Sequence, residues 1–204
     1  MTRVRLSVAE RREEILSTAV GQIEQRGVAA LRVADVAAVL GVSSALVIYH
    51  FETKEKLVAA AFQHAAEGDL ARLRSILGRT GSARRRLRSA VRWYSPTGQA
   101  KGWKIWIEGW AASLRETELR AVTEDLDRQW KAAISEVIAE GAEAGEYVCP
   151  DPKVAAWRLT ALLDGLAVQA TAYAGGLPKR TIQAWADEAL ARELGIDPSE
   201  LAAN

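Results

Sequence analysis

Along most of the chain, apolar residues recur every three or four positions, the spacing of an amphipathic helix. Runs that alternate apolar and polar residues with β-branched enrichment are nearly absent. The first helix starts at the capping box Ser7-Val-Ala-Glu10, carries the stripe Ile15, Leu16, Ala19, Val20, Ile23, and ends at Gly27. A short second helix, about Val33 to Leu40, presents Val33, Val36, Ala37 and Leu40 on one side. Gly41 follows, then a third segment from Ser43 to His50 and a long fourth helix from Lys54 to about Leu77. Five further helices are predicted over 82–94, 101–115, 117–144, 151–174 and 178–194. They are separated by breaks at Gly78 to Gly81, Pro96-Thr-Gly98, Gly145 to Pro152 and Gly175-Gly-Leu-Pro178. The fold class is all-α, with about nine helices.

Composition narrows the function classes. The 204 residues suffice for a sizeable core without disulfides or metal. The single cysteine, Cys149, forms no intrachain disulfide and fits a reducing, cytoplasmic setting. The N-terminus lacks an apolar signal core, and no stretch approaches the roughly 18 apolar residues of a membrane span. His50 and His64 are the only histidines, and neither has metal-ligand spacing with the cysteine. No glycine-rich phosphate loop, zinc-protease motif or nucleophile elbow is present. The reading therefore assigns no catalytic residue, cofactor, metal or membrane.

The net charge of +1 conceals a split. Residues 1–101 carry 17 basic and 9 acidic side chains, and residues 102–204 carry 10 and 17. Such asymmetry hints at a nucleic-acid face on the first half. Yet residues 1–60 are balanced, 8 basic to 7 acidic, so the excess lies behind the short helices. The densest charge run, Arg84-Arg85-Arg86-Leu87-Arg88, reads as a solvated helix face rather than a second DNA contact.

Two short helices joined by a glycine turn form the skeleton of a helix-turn-helix, whose second helix enters the major groove of DNA. The run Leu31 to Leu57 resembles the N-terminal domain of the TetR family of bacterial transcriptional regulators over about residues 8 to 60. Its most specific part is the linked series Gly41-Val42-Ser43, Tyr49-His50-Phe51, Lys54-Glu55 and Leu57. The resemblance implies a homodimer that binds a double-stranded, near-palindromic operator and is released by a small molecule. Residues 1–53 would form a three-helix DNA-binding domain, and 54–204 a helical ligand-binding and dimerisation domain joined by the long fourth helix.

Carried over by position, Ser43, Ser44 and Ala45 open the recognition helix, Tyr49 and His50 contact phosphates, and Lys54 is the phosphate-binding lysine. Arg32 completes the set of DNA contacts. Ile48 stands where many relatives have an aromatic hydroxyl, and apolar contact with a thymine methyl would replace that group. Arg3, Arg5 and Arg12 would add further contacts. Beside these roles stand structural ones: Ser43 as an N-cap, and Tyr49 and Phe51 in the domain core.

Six of the seven tryptophans fall between residues 93 and 157. Trp103, Trp106 and Trp110 share a helical stripe. Trp130 lies on the stripe Leu119, Val122, Leu126, Ala133, Val137, and Trp157 on one with Ala161, Asp164 and Val168. Core packing accounts for any one tryptophan. As a group with Asp164, they have the composition of a site for an organic cation, whose water aromatic faces and a carboxylate replace. Asp164 lies in an apolar run and requires a partner. Glu108 reads as a surface ion pair with Lys104 or Arg115. Trp106 to Arg115 and Leu162 to Gln169 resemble the C-terminal domain of the TetR branch containing choline-responsive betaine regulators, which makes organic cations the ligand class to test.

The 151–174 helix is apolar on nearly every side, and with the last helix (Ile182, Trp185, Ala186, Ala189) it predicts a four-helix dimer interface. A central helix of a monomeric core is the competing reading. Two other function classes stand beside the regulator: a small helical enzyme, and a helical ligand-binding protein without DNA function.

Overall fold

The computed structural model describes residues 6–97, 102–173 and 177–202. Among them are nine α-helices, α1 (Val8–Arg26), α2 (Val33–Leu40), α3 (Ser44–Phe51), α4 (Lys54–Leu77), α5 (Ala83–Tyr94), α6 (Trp103–Ser113), α7 (Thr117–Glu143), α8 (Pro152–Ala172) and α9 (Lys179–Leu194). A short 3-10 helix, Pro198–Ala202, follows; the apolar periodicity does not announce it. It is set by local polar bonds: Asp197 accepts from the Ser199 amide at 2.8 Å, and Glu200 from the Asp197 amide at 2.9 Å.

The helices start where the sequence places caps. Ser7 and Glu10 form the expected reciprocal box on α1. Ser82 caps α5, and the Glu146 carboxylate takes the amides of Ala83 and Arg84 at 2.8 and 3.0 Å, an anion at the positive end of that helix. Asp151 caps α8, with Pro152 in its first turn.

The chain divides into two compact units, residues 1–68 with 104–126, and residues 69–103 with 127–204. In the first, Ile15, Ile23, Val36, Val47, Leu57 and Phe62 are fully buried core residues. The Phe62 ring meets Trp106 edge to face, with centroids 5.1 Å apart. Phe62 also fits only because residue 109 is glycine: a Cβ there would stand 2.3 Å from Phe62 Cε2.

Glu108 departs from its predicted surface role. Its Oε2 accepts from the Val28 amide at 3.0 Å, so α6 holds the chain just past the end of α1. The contact is possible because Gly27, at φ 82, carries no Cβ, which would come within 2.9 Å of the carboxylate.

In the second unit, α9 packs on both α5 and α8. The arginine run of α5 is only in part the solvated face the sequence suggested: Arg85 is exposed, whereas Arg86 and Arg88 are held by partners. Arg86 is one-tenth exposed; it donates to the Leu77 carbonyl at 2.8 Å and pairs with Glu140 at 2.5 Å. Arg88 donates to the Leu201 carbonyl at 3.2 Å, and both Arg88 and Arg92 pair with Asp187. Long stems lie along apolar surface while their heads tie α5 to α4, α7, α9 and the 3-10 helix.

Gly109→Ala is expected to lower stability by about 1–3 kcal/mol, the usual cost of overpacking a core. The urea midpoint measures it, and Phe62→Leu in the same chain should recover part of the loss.

Candidate nucleic-acid interface and effector site

The turn between α2 and α3 is built by Gly41, which takes a left-handed conformation at φ 61, ψ 37. The helix axes bend by 115° across it. Val42 closes the turn with a bond to the Ala37 carbonyl at 3.0 Å. Ser43 then caps α3, accepting from the Leu46 amide at 3.2 Å, so its hydroxyl oxygen already serves the helix end. α3 turns Val47 and Phe51 into the core and leaves Ser44, Ala45, Ile48 and Tyr49 exposed. Tyr49 is 73% exposed, which excludes the core role. The eight residues span about 12 Å, enough to reach a few base pairs.

The neighbouring side chains sort by what already holds them. Arg32 is exposed at the start of α2. His50 is half-buried beside Tyr49, the rings 5.4 Å apart and edge to face. Lys54 opens α4, where the Thr53 hydroxyl takes the Lys56 amide at 3.1 Å; its ammonium lies 3.5 Å from the Ala29 carbonyl. Arg12, expected to add a DNA contact, is exposed: its guanidinium stands 4.3 Å above the Phe51 ring and donates to the His50 carbonyl at 3.3 Å, beside the end of α3. Arg3 and Arg5 lie outside the described residues.

The connection from α3 to α4 is strained. Glu52 has φ 63 and ψ −51, and the Thr53 amide reaches back to the Phe51 carbonyl at 2.7 Å, a γ-turn of the rare hand. This tight reversal sets the base of α4 directly beside the end of the recognition helix.

The aromatic residues fall into two groups. Trp106 and Trp110 belong to the first unit, their rings 6.0 Å apart. Trp103, Trp130, Trp157 and Asp164 belong to the second. There Tyr94, which the sequence reading did not single out, is the centre. Its ring lies 4.5 Å from Trp103 and 4.7 Å from Trp130, and Trp130 stacks on Trp93 at 6.3 Å. Its hydroxyl donates to Asp164 Oδ1 at 2.8 Å, which supplies the partner that the buried carboxyl requires. The adjoining pair Trp93-Tyr94 at the end of α5 was the available signal. Beside Tyr94 and Trp130 runs an apolar cavity of only about 10 Å³, lined also by Leu87, Val91, Ile134 and Leu163. Trp157, by contrast, is 60% exposed, with the Lys131 ammonium 3.4 Å from its ring centroid.

Burial holds the Asp164 carboxyl up at about 6. Asp127 adds to the shift, while the Tyr94 hydrogen bond and Lys131 oppose it. The Tyr94 hydroxyl is pushed well above its ordinary range by burial and by the carboxylate it faces. Near neutral pH, Asp164 is an anion with a single described donor among aromatic rings.

A helix-turn-helix with an outward recognition face, preceding helices that enclose an aromatic and acidic cluster, defines a DNA-binding regulator. Comparison with known proteins agrees. Residues 15–61 match the bacterial regulatory proteins of the tetR family, and residues 83–195 match the C-terminal domain of BetI-type transcriptional repressors. The chain therefore belongs to the TetR family of transcriptional regulators, in its BetI-type branch. The HTH-type transcriptional regulator BetI of Pseudomonas aeruginosa is 26% identical over 160 residues, covering 76% of this chain and 79% of that protein. A transcriptional regulator from Saccharomonospora viridis, solved in complex with choline, superposes with a TM-score of 0.78 at 28% identity, covering 88% of this chain and 95% of that one. A TetR-family regulator from Rhodococcus sp. has the same score and identity, covering 92% of this chain and 100% of that one. Among the described residues, no single helix is long and apolar enough to cross a membrane.

An exposed aspartate loses its proton near pH 4, whereas folded Asp164 keeps it to about 6. Its ionisation therefore costs stability as pH rises through that window, and the cost is complete above it. Asp164→Asn retains an acceptor for Tyr94 and has nothing to ionise. It is expected to raise stability by about 2 kcal/mol at pH 7.5 and by progressively less toward pH 4.5. Urea midpoints across that range test this; a gain independent of pH would refute it.

Proposed function

We propose that this regulator is a dimeric repressor that leaves a near-palindromic operator when an organic cation binds its C-terminal half, acting by binding rather than catalysis. The observation that carries the effector class is the Asp164 carboxylate held against Tyr94, between Trp103 and Trp130. Ring faces and an anion together replace the water of a quaternary or protonated amine. The choline complex of the Saccharomonospora viridis regulator supports the same class. Because the apolar cavity beside Tyr94 and Trp130 holds only about 10 Å³, a ligand entering there must part those rings. Binding then favours a rearranged state, and a near-complete reversal requires about 5.5 kcal/mol of preference for it.

On the DNA side, Ser44, Ala45 and Ile48 read base edges, with Ser43 at the helix start. Tyr49, His50, Lys54 and Arg32 set the register on phosphates. Residues 1–53 carry this role, and 54–204 the effector site and dimerisation. With few basic side chains near α3, affinity depends on two subunits engaging successive major grooves. The outer face of α8 supports the dimer: Val154, Leu162 and Tyr173 are exposed, as are Ala161 and Gly165, whose small size admits a close partner, and Trp185 is exposed on α9. A cytoplasmic location follows from this role.

Selection of bound duplexes from a random pool should return a two-fold symmetric site. On that site, Lys54→Ala is expected to weaken all sequences alike and to lower the salt slope by about one per subunit, whereas Ser44→Ala changes which sequence wins. A Lys54→Ala protein with altered preference and unchanged affinity would contradict the assignment. Choline and other organic cations should shift the intrinsic tryptophan fluorescence and release the duplex. A response confined to neutral or anionic compounds would overturn the effector class.

A further inference from the structure

Next to the Tyr94–Asp164 pair, the chain already holds a cation of its own. Lys131, one turn along α7 from Asp127, donates to its carboxylate at 2.5 Å, and its side chain is only 13% exposed. Its ammonium stands 3.4 Å from the Trp157 ring centroid, and Trp157 lies two turns before Asp164 on α8, on the same stripe. Asp127 and Lys131 are both close enough to Asp164 for their charges to act on it, in opposite senses. A half-buried ammonium between a carboxylate and an aromatic face is the arrangement a bound organic cation would make, supplied here by the protein.

We infer that Lys131 is a tethered competitor of the effector: its ammonium occupies one end of the cation site and sets the site's affinity and charge selectivity. The inference rests on reading the Asp164 cluster as a cation site. The physical reason is direct. An effector cation settling at Asp164 meets a like charge whose side chain is only 13% exposed, where repulsion is less screened than in open water. The ammonium must swing off Trp157 into solvent, or the effector binds weakly. Its flexible four-carbon stem permits that swing. Lys131 thereby excludes cations that bind too weakly to displace it, and its displacement uncovers the Trp157 ring for the incoming ligand.

The experiment compares wild type, Lys131→Met and Lys131→Arg by tryptophan fluorescence and calorimetry. The probes are choline, tetramethylammonium and 3,3-dimethylbutan-1-ol, which has the shape of choline without its charge. Lys131→Met keeps the stem length and removes the charge; it is expected to bind both cations at least tenfold more tightly and the alcohol no differently. Lys131→Arg keeps the charge and should bind the cations as weakly as wild type, which also controls for folding. Cation affinity unchanged or weakened in Lys131→Met overturns the inference while leaving the cation site standing. Equal tightening of cations and alcohol makes the lysine a steric filler and overturns it as well. Failure of all three proteins to bind either cation overturns the inference together with the effector class.

Discussion

A carboxyl group placed among aromatic and aliphatic side chains has few ways to remain there. It can stay protonated, find donors, or keep a cation near. Asp164 combines all three in part: a raised proton affinity, one hydrogen bond from Tyr94, and the charge of Lys131 within reach. α5, α7 and α8 each contribute to that compromise, through Tyr94, Trp130 with Lys131, and Asp164 with Trp157. A carboxylate only partly compensated by its own protein gains most from an external cation, which is the physical basis of the proposed effector site.

The same constraint governs the other charged groups drawn into the helical packing. Glu108 takes an amide left unpaired past α1, Glu146 takes two at the start of α5, and Arg86 donates to a carbonyl at the end of α4. Helix ends are where such partners are found, because the first amides and last carbonyls lack intrahelical bonds. This reassigns the basic excess of residues 61–101. Part of it ties helices together, as the pairs of Arg86, Arg88 and Arg92 show. The proposed DNA interface accordingly relies on the shape and exposed face of α3 rather than on bulk charge.

The helices were legible in the sequence, almost to the residue. Their stripes, caps and glycine stops are local signals, and α2, the Gly41 turn and α3 follow from the consecutive residues Arg32 to Phe51. The exposed set Ser44, Ala45, Ile48 and Tyr49 is the complement of the buried pair Val47 and Phe51, and helical spacing alone separates them. The contact of Arg12 with the Phe51 ring, 39 residues later, was not legible, because its position in the sequence says nothing of that ring.

By itself, then, the sequence determined an all-helical chain with a helix-turn-helix near its start and an aromatic-rich second half, because periodicity and capping act within a few residues. Only the tertiary structure decided which charged and aromatic side chains meet. Asp164 and Tyr94 are 70 residues apart, and Glu108 and Val28 are 80. The division of the tryptophans between two units, and the seat of Lys131 on Trp157, were settled in the same way. No local pattern encodes those pairs: an unpaired charge can report that it needs a partner, but only packing selects which one comes within bonding distance.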